Sequence, residues 1–469
     1  MAFLLDDLQF FFSPKSVVII GASDNAYKPG FLCIESIKKS GFKGKFYLVN
    51  PKKDFINGIP AFSSVTEISK DIDLAIIVVP AKNVPRVIKE CGEKNIKGAI
   101  IISSGFKELG DDVGSRLEQQ ISKLASIYGL KVIGPNALGI LNPYHPINAT
   151  FVPHLNMIKK GGLAIVSQSG GMGVHLSHLA ILEDIGISKL VSLGNQLNIG
   201  FEDILNFLEK DHATKTIGLY IEGINNPRLF LENAGRINLK KPIIIFKAAK
   251  NKKMNSSALS HTGAMAGDYK IYSAAFRQFG IIEAYSLIDV IDIAKGLMMQ
   301  PPAQGNRLAI LTAQAGGGIV MADSWLNAGL PLAKFSSHTI DEVSKIIMFS
   351  NLNNPLDISW SISDSHKLYL IVKKIIEDEE VDSIIIGAVS SFFDSTMAEG
   401  LVKVASIAKK LKKPIFVFRE KVKMVGKKEK EVLESVGIPV YPQLERAVNA
   451  MIGSVKYGSL FNKNKNRFY

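Results

Sequence analysis

Short runs of apolar, mostly β-branched residues alternate along this chain with longer segments in which apolar residues recur at helical spacing. This alternation is typical of strand–helix–strand units, whose strands form a parallel sheet that helices cover. The pattern therefore predicts an α/β protein. In the first third of the chain it predicts five strands, at 16–20, 45–49, 74–79, 99–103 and 131–133.

Each of the five predicted strands is followed by small or turn-forming residues. In an open parallel sheet the carboxyl ends of the strands meet at one edge, and ligands bind there. We therefore expect the five turns to line a single crevice. These turns lie at 21–23, 50–52, 80–81, 104–106 and 134–136.

The first two turns indicate which nucleotide would fit the crevice. The usual dinucleotide fingerprint needs a second glycine after the first strand and an acid after the second. Here Gly21-Ala22-Ser23 lacks that glycine, and Lys52 stands near the position of the acid. A lysine favours a ligand with an additional phosphate, such as coenzyme A or NADP. The alternative is that Lys52 and Lys53 only solvate a turn.

The remaining two thirds of the chain contain an internal duplication. Residues 163–173 align without gaps on 308–318, and 240–247 align on 412–419. Each copy predicts a strand, a glycine-rich turn and a helix, and the start of such a helix attracts anions. The pattern indicates two copies of a flavodoxin-like sheet. We predict domains at 1–142, 143–302 and 303–469, the last with a basic tail.

Two side chains occur in the second domain and not in its duplicate. Glu222 follows a predicted buried strand, and His261 lies in a loop of small and hydroxylated residues. A carboxylate that binds one imidazole nitrogen leaves the other free to attack, so the two residues form a candidate catalytic pair. The alternatives are a cap or salt bridge for Glu222 and an ordinary surface loop around His261.

Composition narrows the class of protein. The content of 47% hydrophobic and 21% charged residues is ordinary for a soluble globular protein, and no uncharged apolar run reaches the length of a membrane helix. The acidic start lacks the basic region of a secretory signal, and two cysteines in 469 residues fit a cytoplasmic location. The net charge of +13 is spread over lysine doublets, so we expect neither nucleic acid nor a membrane as partner. No metal site is predicted, because no third ligand accompanies His175 and His178.

The motifs at 13–23, 49–52, 78–81, 102–108, 134–136, 167–170, 220–223, 260–263 and 354–357 occur in an order that carries a resemblance. The chain resembles the α subunit of ADP-forming (NDP-forming) acyl-CoA synthetases, which are acetyl-CoA synthetases of the succinyl-CoA ligase superfamily. The resemblance implies an N-terminal Rossmann-like domain that binds coenzyme A, followed by two flavodoxin-like domains.

The resemblance also implies a phosphoryl relay. Inorganic phosphate displaces coenzyme A from an acyl-CoA, the acyl phosphate phosphorylates a histidine, and the phosphohistidine passes its phosphate to ADP. His261 matches that histidine, and Glu222 matches the carboxylate that steadies it. Phosphate would bind Ser167, Gln168, Ser169, Gly170 and Gly171, with Gly316 and Gly317 opposite. The residues that match the coenzyme A site are Gly21, Ala22, Ser23, Asn50, Pro51, Lys52, Val79, Pro80, Ala81, Ser103, Ser104, Gly105 and Asn136.

Nothing in the chain resembles an ATP-grasp domain, so the resemblance implies a β subunit that binds ADP or ATP with Mg²⁺, in an α2β2 complex. Two positions depart from the family pattern. Ala137 stands where many relatives have cysteine, so no thiol is expected there. The turn at 312–318 lacks the asparagine and proline of many relatives, which bears on the role of that helix end.

Two other functions stay open. The first is a non-catalytic regulator that binds coenzyme A, although the presence of both Glu222 and His261 argues against it. The second is a protein acyltransferase of the kind that fuses this module to an acetyltransferase domain. The chain ends soon after the third predicted sheet, which argues against that domain.

Overall fold

In the computed structural model, the apolar run at 16–20 forms the predicted strand, which lies in the middle of the first sheet. The structure describes residues 8–251, 268–347, 351–388, 394–420 and 427–465. The strands of this sheet are β1 (Ser16–Ile20), β2 (Lys45–Val49), β3 (Phe55–Ile56), β4 (Ile59–Phe62), β5 (Leu74–Ile77), β6 (Gly98–Ile101) and β7 (Lys131–Ile133). The helices that accompany them are α1 (Gln9–Phe12), α2 (Pro29–Ser40), α3 (Val84–Glu93) and α4 (Asp112–Tyr128).

The order of the strands is β3-β4-β2-β1-β5-β6-β7, and all the neighbours are parallel except the β3–β4 pair. Strand β1 is the middle strand of this order, and all five of its residues are buried. The five predicted strands are present, but two of them end early, at Ile77 and Ile101. Val78 and Ile102 each add one backbone bond to the neighbouring strand, of 2.9 and 3.0 Å, before the chain turns away. The short β3–β4 hairpin was not predicted.

The second sheet contains strands in the order β14-β13-β12-β10-β11-β8-β9. These strands are β8 (Gly139–Asn142), β9 (Ile147–Thr150), β10 (Lys160–Ser167), β11 (Ile187–Ser192), β12 (Thr216–Ile221), β13 (Ile243–Lys247) and β14 (Ile282–Ala284). The helices are α5 (Gly170–Leu182), α6 (Phe201–Lys210), α7 (Pro227–Asn238) and α8 (Tyr269–Gln278). Strand β8 pairs with β11, although its residues fall in the predicted first domain.

The third sheet has the order β16-β15-β17-β18-β19. Its strands are β15 (Leu308–Thr312), β16 (Leu356–Asp357), β17 (Ser383–Ala388), β18 (Ile415–Arg419) and β19 (Val440–Tyr441). The remaining helices are α9 (Leu287–Met299), α10 (Ala315–Asn327), α11 (Ser337–Ser344), α12 (Ser365–Glu377), α13 (Asp394–Leu411), α14 (Lys427–Ser435) and α15 (Leu444–Lys465).

The duplication predicted from the sequence is present in the strand order. The third sheet repeats the five strands β11-β10-β12-β13-β14 of the second, and both follow the flavodoxin-like order 2-1-3-4-5. The aligned segments 163–173 and 308–318 both form a strand, a turn and the start of a helix. The predicted α/β class with flavodoxin-like sheets is confirmed.

The chain divides into two compact units, Met1–Leu287 and Ile288–Tyr469. The first unit holds both the first and the second sheet, and apolar residues from both sheets form one continuous core. Phe12 of α1 stacks on Phe207 of α6, with ring centroids 4.4 Å apart. This shared core fixes the two sheets relative to each other. The three-domain division at 142 and 302 stays a prediction.

Two negative observations concern the described part of the chain. None of its helices combines the length and the apolar character needed to cross a bilayer. Cys33 and Cys91 are both buried and unbridged. Burial raises the pKa of the Cys33 thiol to about 12 and also raises that of Cys91, so neither side chain is a thiolate at neutral pH.

Candidate functional site

A cleft of about 960 Å³ lies at the carboxyl ends of the strands of the first sheet. The turns after β2, β1, β5, β6 and β7 all contribute to its lining, as the sequence predicts. Among the predicted coenzyme A residues, the lining includes Gly21, Ala22, Ser23, Asn50, Val79, Pro80, Ser103, Ser104 and Asn136. Pro51, Lys52, Ala81 and Gly105 belong to the same turns but do not line the cleft, and Lys28 is the lysine that does.

The opposite wall of the cleft comes from the second sheet. Gln168, Ser169, Gly170 and Gly171, which were predicted to bind phosphate, line the same cleft at the start of α5. The structure therefore brings the two predicted sites together in one space. Backbone N–H groups at the start of a 13-residue helix favour an anion at this position.

The other residues predicted to bind phosphate, Ser167, Gly316 and Gly317, are not among those that line the cleft. Ser167 is fully buried, and its hydroxyl donates to the Ser169 carbonyl at 2.6 Å, so it shapes the turn from inside. In the second unit, Thr312 makes the equivalent bond to the Gln314 carbonyl at 2.8 Å. Gly316 and Gly317 follow at the start of α10. Their predicted role in phosphate binding stays a prediction.

The glycine turn after β1 depends on a close approach by α2. Gly21 has a φ of +95°, a conformation that other residues rarely adopt. A Cβ atom on Gly30, the second residue of α2, would lie 2.2 Å from the Gly21 carbonyl oxygen. Asn50 adds a bond from its Nδ2 to the Ala22 carbonyl at 2.8 Å. Gly30 is not among the predicted site residues, although a glycine at a helix start is the available signal.

Glu222 follows directly after β12 and is buried, with 7% of its surface exposed. The Gln168 side chain links it to the phosphate turn, since Oε1 of Gln168 accepts from the backbone N–H groups of Glu222 at 2.8 Å and Gly223 at 3.0 Å. Burial, together with the nearby Glu222 carboxylate, raises the pKa of the Tyr220 hydroxyl. The backbone that carries the Glu222 carboxylate and the anion-binding turn are thus held in one hydrogen-bonded unit.

Lys247 is a second buried ionisable group beside Glu222, and the sequence reasoning assigned it no role. Its Nζ donates to the carbonyl oxygens of Glu222 at 2.9 Å and Ala248 at 2.6 Å, and lies 4.8 Å from the Tyr272 ring centroid. Burial lowers the pKa of Lys247 to about 8, against the opposing effect of Glu222. The equivalent residue of the duplicate, Arg419, instead pairs with a carboxylate of Glu429 at 3.0 Å.

Lys247 gives a prediction for the pH dependence of stability. A lysine in the unfolded chain has a pKa of about 10.4, so between pH 8 and pH 10 the unfolded chain keeps a proton that the folded protein has lost. The contribution of Lys247 to the free energy of unfolding therefore rises with pH across this range. We expect the difference between the wild type and Lys247→Met to move in favour of the wild type by about 2 kcal/mol, measured by urea unfolding.

Lys210→Met supplies the baseline for this measurement, because Lys210 is an exposed residue at the end of α6. Its difference from the wild type should change little over the same pH range. A Lys247→Met difference that stays constant from pH 8 to pH 10 would show that the amine keeps its ordinary pKa in the folded protein.

The predicted catalytic histidine, His261, lies outside the described residues. On either side of the segment 252–267, the described chain forms a cluster around Lys250, whose Nζ lies 5.1–5.3 Å from the ring centroids of Phe246, Tyr269 and Tyr285. Glu283 Oε1 lies 3.9 Å from the same amine. These contacts bring together the described residues that precede and follow this segment in the sequence.

Two of the histidines without a predicted role, His154 and His178, contact each other and do not line the cleft. Nε2 of His178 is 2.7 Å from Nε2 of His154, a contact that the sequence did not indicate. Burial and the neighbouring His154 and His175 lower the pKa of His178. Within the described residues, no group of three or more His, Cys, Asp or Glu side chains is arranged to hold a metal ion.

Comparisons with known proteins agree with this geometry. Residues 15–143 match the family described as CoA binding domain, and residues 160–297 match the succinyl-CoA ligase like flavodoxin domain. The chain is 38% identical to acetate–CoA ligase [ADP-forming] II subunit alpha of Pyrococcus furiosus over 96% of this chain and 97% of that protein. It is 37% identical to acetate–CoA ligase [ADP-forming] II of Archaeoglobus fulgidus over 97% of this chain and 68% of that protein.

A solved structure is similar over nearly the whole chain. It is the dinucleotide-forming acetyl-coenzyme A synthetase 1 of Candidatus Korarchaeum cryptofilum, in complex with phosphate and ADP. The TM-score is 0.88 at 33% sequence identity, and the match covers 98% of this chain and 99% of that one.

Proposed function

Because the chain belongs to the family of ADP-forming acetate–CoA ligase α subunits, we propose that it catalyses the acyl and phosphoryl transfers between an acyl-CoA, phosphate and a histidine. The overall reaction is the reversible conversion of acyl-CoA, phosphate and ADP to a carboxylic acid, coenzyme A and ATP. One observation carries the proposal: the start of α5 lines the same cleft as the turns of the first sheet. An acyl thioester bound along those turns would meet phosphate at that helix start.

The proposed chemistry begins at the thioester carbonyl. A phosphate oxygen attacks the carbonyl carbon, the bond to sulfur breaks, and coenzyme A leaves as a thiolate while an acyl phosphate forms. The N–H groups at the start of α5 stabilise the anion in this step, and phosphoryl transfer requires mainly such positioning and charge stabilisation. An imidazole nitrogen of His261 then attacks phosphorus, and the carboxylate leaves.

Glu222 is proposed to orient that imidazole. Its carboxylate would accept the N–H of one ring nitrogen and leave the other nitrogen unprotonated for attack. The bonds from Gln168 support this role, because they tie the backbone of Glu222 to the turn that would hold the phosphate. A shift of either element would move the nucleophile relative to its target.

The nucleotide step is proposed to take place on a partner chain. The Pyrococcus relative is named as a subunit alpha, and the Archaeoglobus relative extends well beyond the part that this chain matches. We propose an ATP-grasp β subunit that binds ADP and Mg²⁺, in an α2β2 complex in the cytoplasm. The phosphorylated His261 would transfer its phosphate to ADP there.

The direct test is phosphate-dependent release of coenzyme A from a panel of acyl-CoAs, with the β subunit and ADP present. We expect release and ATP formation to require inorganic phosphate and to be equal in amount. Tight binding of coenzyme A without release would instead indicate the non-catalytic regulator. Transfer of the acyl group to protein lysines, independent of phosphate, would indicate the acyltransferase.

A further inference from the structure

Asn195 lies in the turn after β11 and is almost completely buried, with 3% of its surface exposed, yet it lines the cleft. Its backbone N–H donates to the Pro135 carbonyl at 2.9 Å, which ties it to the turn after β7. Gly194 before it has a φ of +56°, and a Cβ atom there would lie 2.2 Å from the same carbonyl oxygen. The position of Asn195 relative to the first sheet is therefore fixed.

The side-chain amide of Asn195 has both of its hydrogens in use. Nδ2 donates to Oε2 of Glu108 at 2.7 Å and to Oε2 of Glu118 at 2.8 Å. A carboxylate accepts hydrogen bonds and an amide NH₂ has two donors, so this pairing determines which way the amide faces. With the amide turned over, its oxygen would face two carboxylates.

The two carboxylates are themselves held in place. Oε1 of Glu108 accepts from the Gly105 backbone N–H at 2.6 Å, and Oε1 of Glu118 lies 2.9 Å from the Lys107 amine. Lys107 also donates to the Asn195 carbonyl at 2.9 Å. Rotation of the Asn195 side chain would thus break both of its charge-assisted bonds to these fixed carboxylates.

The consequence is that Asn195 can offer a ligand only an acceptor. Its Oδ1 accepts from none of the described residues, and the bonds to the glutamates leave Nδ2 no hydrogen to donate to a ligand. A group that binds at this point of the cleft must therefore bring an N–H or O–H donor, because a second acceptor would be repelled.

The order of the turns indicates which part of coenzyme A passes Asn195. The start of α2, with Lys28, lines the cleft beside the turn after β1. The lysine charge and the helix start favour the phosphates of the nucleotide there. The thioester must reach the start of α5 on the other wall. Between them the ligand crosses the ends of β6 and β7, where Asn195 is bonded to Pro135. The middle of coenzyme A is the pantetheine arm, whose two amide N–H groups are donors.

We infer that Oδ1 of Asn195 accepts a hydrogen bond from an amide N–H of the pantetheine arm, and so helps to select coenzyme A and position its thioester. The inference rests on the proposed function. It assigns Asn195 as a specificity-determining residue and Glu108 and Glu118 as the residues that orient it.

The test compares coenzyme A with two analogues, each with one pantetheine amide replaced by an ester, which removes a single N–H. Binding to the wild-type chain and to Asn195→Leu would be measured by calorimetry. For the wild type we expect one analogue to bind about tenfold to a hundredfold more weakly than coenzyme A, because a buried acceptor loses its donor. Asn195→Leu should bind coenzyme A more weakly by a similar factor and no longer distinguish that analogue. A purely structural role would not produce this loss of discrimination.

If Asn195→Leu does not fold, the binding of coenzyme A and the two analogues would be measured with Asn195→Ala instead. Equal binding of coenzyme A and both analogues by the wild type would overturn the inference, as would a variant that still discriminates as strongly as the wild type. These results would leave phosphate-dependent release of coenzyme A intact. A wild-type protein that neither binds nor releases coenzyme A would overturn the proposed function and this inference with it.

Discussion

Replacement of His261 by alanine is expected to abolish the labelling of this chain by radioactive phosphate in the presence of an acyl-CoA. The imidazole is the proposed acceptor of the phosphoryl group, and the alanine side chain offers no nucleophile in its place. ATP formation with the β subunit and ADP should fall by about a thousandfold or more, as is usual when a covalent nucleophile is removed. The label on the wild type should be lost in acid and kept in base.

The first step of the relay provides an internal control. Coenzyme A leaves before the imidazole acts, so His261→Ala should still release coenzyme A in a single turnover that requires phosphate. His212→Ala is the matched control, because His212 is an exposed histidine in the turn between α6 and β12, with no proposed role. It should be labelled like the wild type. Undiminished labelling of His261→Ala would refute the relay through this residue.

The fold was largely predictable because its signals are local. The apolar strands and the turn residues after them lie next to each other in the sequence, and the structure confirms the five strands of the first third. The duplication was also visible, since segments such as 240–247 and 412–419 keep the same pattern without gaps. They form β13 and β18, which occupy equivalent places in the two sheets.

The contacts that build the candidate site could not be predicted in the same way. Asn195 bonds to Glu108 from 87 residues away, and Gln168 bonds to Glu222 from 54 residues away. The first pairing depends on how the first and second sheets pack, and the second depends on which strands are neighbours within the second sheet. No local pattern encodes either arrangement. Lys247 was missed for a related reason. A lysine at the end of an apolar strand looks exposed until the carbonyl groups around it are placed.

Gly30 allows α2 to approach the turn after β1, but it lies outside the spacing of the dinucleotide fingerprint. The dinucleotide fingerprint places its last glycine within a few residues of the first, for close packing of helix and strand. In this chain the approach is made by Gly30, nine residues after Gly21. Eight residues separate the two glycines, and those at 24–28 lengthen the turn before α2, so the spacing rule does not find Gly30.

Gly30→Ala is expected to destabilise the first unit and to weaken the binding of coenzyme A. The new Cβ would lie 2.2 Å from the Gly21 carbonyl oxygen and 3.2 Å from the Ser23 nitrogen, and these are backbone atoms that cannot move aside as a flexible side chain does. Relief of the clash requires α2 or the glycine turn to shift. We expect a loss of about 1–3 kcal/mol in the free energy of unfolding, measured with urea, after any gain in helix propensity.

The affinity of Gly30→Ala for coenzyme A should also decrease, because the shifted atoms belong to the turn that lines the cleft. Gly171→Ala is the matched control for stability: Gly171 is also the second residue of its helix, but an added Cβ there meets no atom within 4 Å. That variant should be as stable as the wild type or slightly more stable, by up to about 1 kcal/mol. If Gly30→Ala unfolds at the wild-type urea concentration and binds coenzyme A unchanged, the approach of α2 does not determine the shape of the turn. If Gly30→Ala binds coenzyme A more weakly but keeps the wild-type free energy of unfolding, the turn has shifted without destabilising the core. The geometry of the turn then affects only the binding of the ligand.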